Sequence, residues 1–223
     1  MMNTEELAKM IDHTLLHPHA TADQLDTLVD EAKRYGFGAV CVNPYWVSHV
    51  AAKIGNEDIG IACVVGFPLG QSKSSIKAAE ARQAVEDGAT GIDMVINIGA
   101  LKSQRFDHVE EEIAEVCDIG APVKAIIEAC YLFPEEKVMA CELAKRAGAA
   151  YVKTSTGFGS YGATEDDVRL MRRVVGHSMG VKAAGGISSW KQAEAMIASG
   201  ASRIGASKSV LIIEGLKAQT SDE

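Results

Sequence analysis

The chain has 223 residues, 47% of them apolar and 5% aromatic, and a formal charge of −8 at pH 7. That is enough apolar material for a large core in one domain spanning residues 1–223, while the diffuse acidic excess argues against a nucleic-acid binder, which needs a basic face, and leaves room for local positive charge that serves a phosphate. The five cysteines, Cys41, Cys63, Cys117, Cys130 and Cys141, lack the paired spacing of structural zinc or redox motifs, which fits a reducing cytoplasm. Met1 leads into Asn3-Thr4-Glu5-Glu6 without a basic region and an apolar run, so no signal peptide is expected, and no later run reaches membrane-spanning length.

A short helix over residues 4–9 precedes a first strand at 10–14. From Thr21 to Tyr35 a helix places Leu25, Leu28, Val29, Ala32 and Tyr35 on one stripe, and Thr21 with Gln24 has capping-box spacing. Strands rich in β-branched residues follow at 38–42, 59–65, 91–96 and 123–128. Pro134, Glu135 and Glu136 open another helix, with proline at the first position and acids near the positive dipole end. Strands at 150–154 and 181–184 come next, then a helix capped by Ser189 and Gln192, and a last strand at 203–206. Helices end in glycine and then, repeatedly, alanine: Gly36, Gly88-Ala89, Gly148-Ala149 and Gly200-Ala201. Near-continuous apolar strands alternating with helices predict a (β/α)8 TIM barrel. An open doubly wound sheet is the alternative, but no Gly-x-Gly-x-x-Gly follows the first strands.

In such a barrel, chemistry gathers at the C-terminal ends of the strands. Asp93, Lys124 with Glu128, Lys153 with Ser155, and Lys182 interrupt apolar strands, and alternation points them into the barrel. Buried charges must pair, and Glu128 is the expected partner of Lys124. One reading is a structural network of lysine–carboxylate pairs. The other is a reactive amine: Lys153 and Lys182 lie on adjacent strands, and both mutual repulsion and dryness favour a neutral lysine able to attack a carbonyl. Phase alone does not choose between Lys153, Lys182 and Lys124, the last of which suits a supporting role. Asp93 fits a proton carrier or a counter-ion, and Asp12 a proton network or a cap on the turn at Thr14.

Gly185-Gly186-Ile187-Ser188 and Gly205-Ala206-Ser207-Lys208 follow the last two strands, where barrels hold phosphate on backbone N–H groups, and Thr156-Gly157 adds a third small turn. His13, His17 and His19 cluster near the first strand, but no later strand carries a histidine, so they read as a solvated loop and no metal site is expected. Cys41 reads as a buried small hydrophobe.

Lys153-Thr154-Ser155-Thr156-Gly157, Lys182-Ala183-Ala184-Gly185-Gly186, Gly205-Ala206-Ser207 and Ile11-Asp12-His13-Thr14 resemble deoxyribose-phosphate aldolase, over nearly the whole chain. The resemblance implies a class I aldolase of deoxyribonucleotide breakdown that reversibly splits 2-deoxy-D-ribose 5-phosphate into D-glyceraldehyde 3-phosphate and acetaldehyde, with no cofactor. It further implies that Lys153 forms the Schiff base, that Lys182 keeps it neutral, and that Asp93, Lys182 and water shuttle protons. Gly157, Gly185, Gly186 and Ser207 match the family's phosphate positions, and a homodimer or higher homo-oligomer is implied. Two departures stand out. Phe158 occupies a position where some members carry a lysine, a charge that Lys208 is expected to replace, and the tail Thr220-Ser221-Asp222-Glu223 lacks the terminal tyrosine of some members. The alternatives are another Schiff-base barrel aldolase or a non-catalytic sugar-phosphate-binding protein.

Overall fold

The eight apolar runs pair in parallel and close on themselves in a computed structural model that describes residues 2–221. Asp222 and Glu223, the end of the tail, lie outside the described residues. The strands are β1 (Ile11–Leu15), β2 (Ala39–Val42), β3 (Gly60–Val65), β4 (Gly91–Val95), β5 (Val123–Ile126), β6 (Tyr151–Lys153), β7 (Gly180–Ala184) and β8 (Arg203–Ala206). They follow one another in chain order around the barrel, and β8 returns to β1 with Asp12 opposite Gly205. The helices are α1 (Thr4–Lys9), α2 (Ala22–Tyr35), α3 (Val47–Ile54), α4 (Ser74–Glu86), α5 (Ile98–Lys102), α6 (Phe106–Cys117), α7 (Pro134–Arg146), α8 (Glu165–Val175), α9 (Trp190–Ala198) and α10 (Ser209–Ser221). None among the described residues is long and apolar enough to cross a membrane.

Alternation divides each strand between two environments. In β4, Ile92 and Met94 turn outward into the layer beneath the helices, whereas Asp93 turns inward. Each fully buried aliphatic side chain of that layer contributes roughly 1.5–3 kcal/mol. Inside the barrel, Cys41, Ala62, Val64 and Leu16 fill the β2–β3 side with apolar atoms. Cys41 is the small hydrophobe expected, and burial pushes its thiol pKa up. The charged side chains therefore gather on the other side of the interior.

The αβ turns share one construction. Gly36, Gly88, Gly148 and Gly200 all have positive φ, and the amide after each glycine donates to a carbonyl five residues back: Phe37 to Ala32, Ala89 to Ala84, Ala149 to Ala144, Ala201 to Met196. This is the Schellman closure, which satisfies helix-end carbonyls and starts the next strand directly. A second device lies outside the barrel, where Lys77 of α4 and Glu112 of α6 form a fully buried ion pair at 2.9 Å. Lys77 also donates to the Val95 carbonyl, and Glu112 accepts from the Asn97 amide, so the pair clamps the chain where it leaves β4.

Three strand ends fall earlier than the apolar runs. β4 stops at Val95, β5 at Ile126 and β6 at Lys153, and Glu128 takes a left-handed conformation with φ 50°. That twist removes Glu128 from the face that carries Lys124.

Candidate active site

Register brings the charges together: Asp93 pairs with Lys124 across β4–β5, and Lys153 with Lys182 across β6–β7. Asp93 is the hub. Its Oδ1 accepts from Lys124 at 2.8 Å, and its Oδ2 accepts from both Lys153 at 2.9 Å and Lys182 at 2.6 Å. Lys182 also donates to Asp12, whose other oxygen accepts from Arg203 at 2.6 Å. Asp12 is therefore part of the network and not a side-chain cap; Thr14 instead donates to the Asp12 backbone carbonyl.

Burial disfavours each of these charges, so the signs of their neighbours decide which persist. Burial alone would raise the Asp93 carboxyl, but Lys124, Lys153 and Lys182 together hold it well below the usual carboxylate range. Burial likewise opposes ionisation of Asp12, and Lys182, Lys124 and Arg203 outweigh it. For Lys182 burial disfavours the ammonium, yet Asp12 and Asp93 more than compensate, and its pKa moves up. Lys182 is thus a fixed cation.

A cavity of about 320 Å³ opens at the C-terminal end of the barrel, and of the three barrel lysines only Lys153 lines it. Lys182 and Asp93 are fully sealed beneath. The cavity wall continues through Thr156 and Gly157 after β6, Gly185 and Gly186 after β7, and Gly205, Ser207 and Lys208 at the end of β8. Gly157, Gly185 and Gly186 have φ of 88°, 90° and 78°, a region that favours glycine and lets backbone N–H groups face a ligand. The backbones also approach closely: a Cβ at Gly162 would meet the Gly185 carbonyl oxygen at 2.1 Å, and Ala163 donates to that same oxygen at 3.0 Å. The turns after β6 and β7 are fastened to one another.

Two expectations are corrected. Glu128 does not pair with Lys124; it accepts from the Thr156 amide at 3.1 Å and from the Thr156 hydroxyl, bracing the turn after β6. His13 does not belong to a solvated loop. It is 4% exposed, with Nδ1 3.0 Å from the Ser209 hydroxyl and Nε2 2.7 Å from Glu31, and burial lowers its pKa despite Glu31. His17 and His19 are exposed and stack on each other at 5.4 Å. Among the described residues, no group of three or more His, Cys, Asp or Glu side chains could hold a metal.

A model of the DeoC/LacD family aldolases matches residues 7–216. The chain belongs to that family. It is an aldolase, a carbon–carbon lyase, and its relatives match it along nearly their whole length. Deoxyribose-phosphate aldolase from Aciduliprofundum boonei is 58% identical over 220 residues, covering 97% of this chain and 99% of that one. The enzyme of the same name from Thermococcus gammatolerans is 56% identical over 218 residues, covering 95% and 97%. Among solved structures, the tetrameric deoxyribose phosphate aldolase of Aeropyrum pernix superposes with a TM-score of 0.88 at 35% identity, covering 97% of this chain and 93% of that one.

Within this DeoC/LacD barrel, two groups escaped the sequence reading. Arg203 pairs with Asp12, and its sequence signal is the same as that of Asp93, a charge within an apolar strand run. His17 lines the cavity although the adjacent histidines read as a solvated loop. Phe158 lines it too, half-exposed and packed edge-on against Phe67 at 5.4 Å.

Proposed function

We propose that the protein reversibly cleaves 2-deoxy-D-ribose 5-phosphate to D-glyceraldehyde 3-phosphate and acetaldehyde through a Schiff base on Lys153, serving deoxyribonucleotide breakdown. The observation that carries this reading is the position of Lys153, the barrel lysine that both lines the cavity and touches Asp93. Its neighbour on the same carboxylate oxygen, Lys182, is held protonated between Asp12 and Asp93, so the role of nucleophile falls to Lys153. Lys124 and Asp12 support the network.

Lys153 Nζ attacks the aldehyde carbon C1 of the open-chain sugar, and loss of water from the carbinolamine leaves an iminium. Proton loss from the C3 hydroxyl breaks the C2–C3 bond, releasing D-glyceraldehyde 3-phosphate, and the electron pair passes into an enamine on Lys153. Protonation of C2 and hydrolysis release acetaldehyde. Asp93, ionised at neutral pH, acts with Lys182 and water to carry these protons and balances the iminium charge. The turns at Thr156-Gly157, Gly185-Gly186 and Gly205-Ser207, with Lys208, hold the phosphate. Relatives that include a tetrameric enzyme support a homo-oligomer.

Borohydride reduction in the presence of acetaldehyde, followed by peptide mapping, tests the reading. An ethyl adduct on Lys153 is expected. An adduct on Lys124 or Lys182 would sink the assignment, and substrate binding without any adduct would favour a sugar-phosphate-binding protein.

A further inference from the structure

We infer that His17 is a second side-chain ligand of the anion in this cavity and that, with Lys208, it sets the preference for a phosphorylated substrate; the inference rests on the aldolase reading above. The cavity's wall is asymmetric in charge. No Asp or Glu lines it, and its cationic or ionisable lining groups are Lys153, Lys208 and His17. Lys153 is engaged by Asp93, whereas the side chains of Lys208 and His17 have no hydrogen bond or ion pair among the described residues. A phosphate monoester carries about −1.5 to −2 charge at neutral pH, so a single lysine leaves much of it uncompensated. Phe158, on the same wall, adds no charge.

His17 is also held in place before any ligand arrives. It follows Leu16, whose carbonyl accepts from the Asn43 side chain at 3.3 Å, and its own carbonyl accepts from the Ala20 amide at 3.1 Å. Pro18 fixes the next φ, and the His17 ring lies against His19 with 16° between planes. The residue faces two ways: with Leu16 and Phe158 it also borders a neighbouring groove walled by Tyr45, Trp46, Phe67 and Pro68. A ring N–H at this rim, on the segment after β1 and so beside the turn that ends β8, donates to a phosphate oxygen, and it does so whether the ring is neutral or charged. Less conformational freedom then remains to be lost on binding.

Steady-state kinetics of His17→Ala and His17→Lys, with 2-deoxy-D-ribose 5-phosphate and with unphosphorylated 2-deoxy-D-ribose, test this. His17→Ala should raise KM for the phosphorylated sugar about five- to tenfold with kcat retained and leave the unphosphorylated sugar unaffected. His17→Lys should restore KM. An unchanged KM, or an equal change for both sugars, overturns the inference. Binding of inorganic phosphate, measured calorimetrically, is independent of turnover: it should weaken several-fold in His17→Ala, and equal affinities overturn the proposal. If the unmodified enzyme turned over neither sugar, the functional reading would fall while the phosphate measurement still decided the role of His17.

Discussion

The stem of Lys182 runs across Gly205: a Cβ at residue 205 would lie 2.9 Å from Lys182 Cε and 3.0 Å from Ala184 Cβ. The glycine at this point of β8 thus makes room for the cation that lies between Asp12 and Asp93. Gly205→Ala should push Lys182 off Asp93 and lower kcat by roughly a hundredfold, the scale expected of an ångström-sized misplacement in a catalytic cluster. The check is kcat together with the thermal midpoint; an unaltered kcat in a folded variant would show that the lysine can shift without consequence.

Lys208 supplies charge where Phe158 does not. Lys208→Ala should raise KM for the phosphorylated sugar by about five- to tenfold and leave kcat in place, as expected for the loss of one charge-assisted contact. Because an exposed cation is screened by salt, the variant's KM should also vary less with ionic strength. Initial rates at low and high salt give both quantities, and an identical salt dependence would remove Lys208 from the phosphate site.

Glu128 braces the turn after β6 through both the amide and the hydroxyl of Thr156. Glu128→Ala leaves that buried amide without its acceptor, which costs about 1–3 kcal/mol, and it frees the Thr156-Gly157 backbone that lines the cavity. Denaturant titration should register the loss of stability, and kinetics a higher KM. A variant as stable as the parent would show that another group takes over the amide.

Acid should unfold the protein in two stages. The free histidine value is 6.5, and burial sets His13 lower in the fold. Below pH 6.5 the unfolded ring therefore takes up a proton that the folded ring refuses, and stability begins to fall. Asp12 and Asp93 are depressed from a free value of 3.8, so their contribution is complete above that pH and is lost as pH drops further toward their folded values. Thermal midpoints from about pH 8 to about pH 2 should show the upper stage whole and the lower one under way, and His13→Gln should abolish the upper one.

Much of this was legible from residue order, for identifiable reasons. Asp93, Lys153 and Lys182 stand out because a charge inside an apolar strand has few places to go but the barrel interior, and the Gly-Ala pairs mark helix ends because the closure needs a positive φ. Strand phase extended past Ile126 puts Glu128 beside Lys124, but Glu128 itself is left-handed and breaks that phase. His13 was grouped with His17 and His19 by proximity, although as a strand residue it turns outward beneath α2 and α10, toward Glu31 and Ser209. Lys77 and Glu112 gave only a faint signal, since single charges on helices ordinarily face water, and their pairing spans 35 residues.

The seam between the first and last strands carries ion pairs as well as backbone hydrogen bonds. Asp12 comes from β1, while Lys182 and Arg203, which flank it, come from β7 and β8, separated from it by 170 and 191 positions. The carboxylate that fixes the charge of Lys182 therefore arrives only when the two ends of the chain meet. Without that closure Asp93 still holds Lys124 and Lys153, but Lys182 lacks one of its two carboxylates, so closing the ring is also what completes the charge cluster.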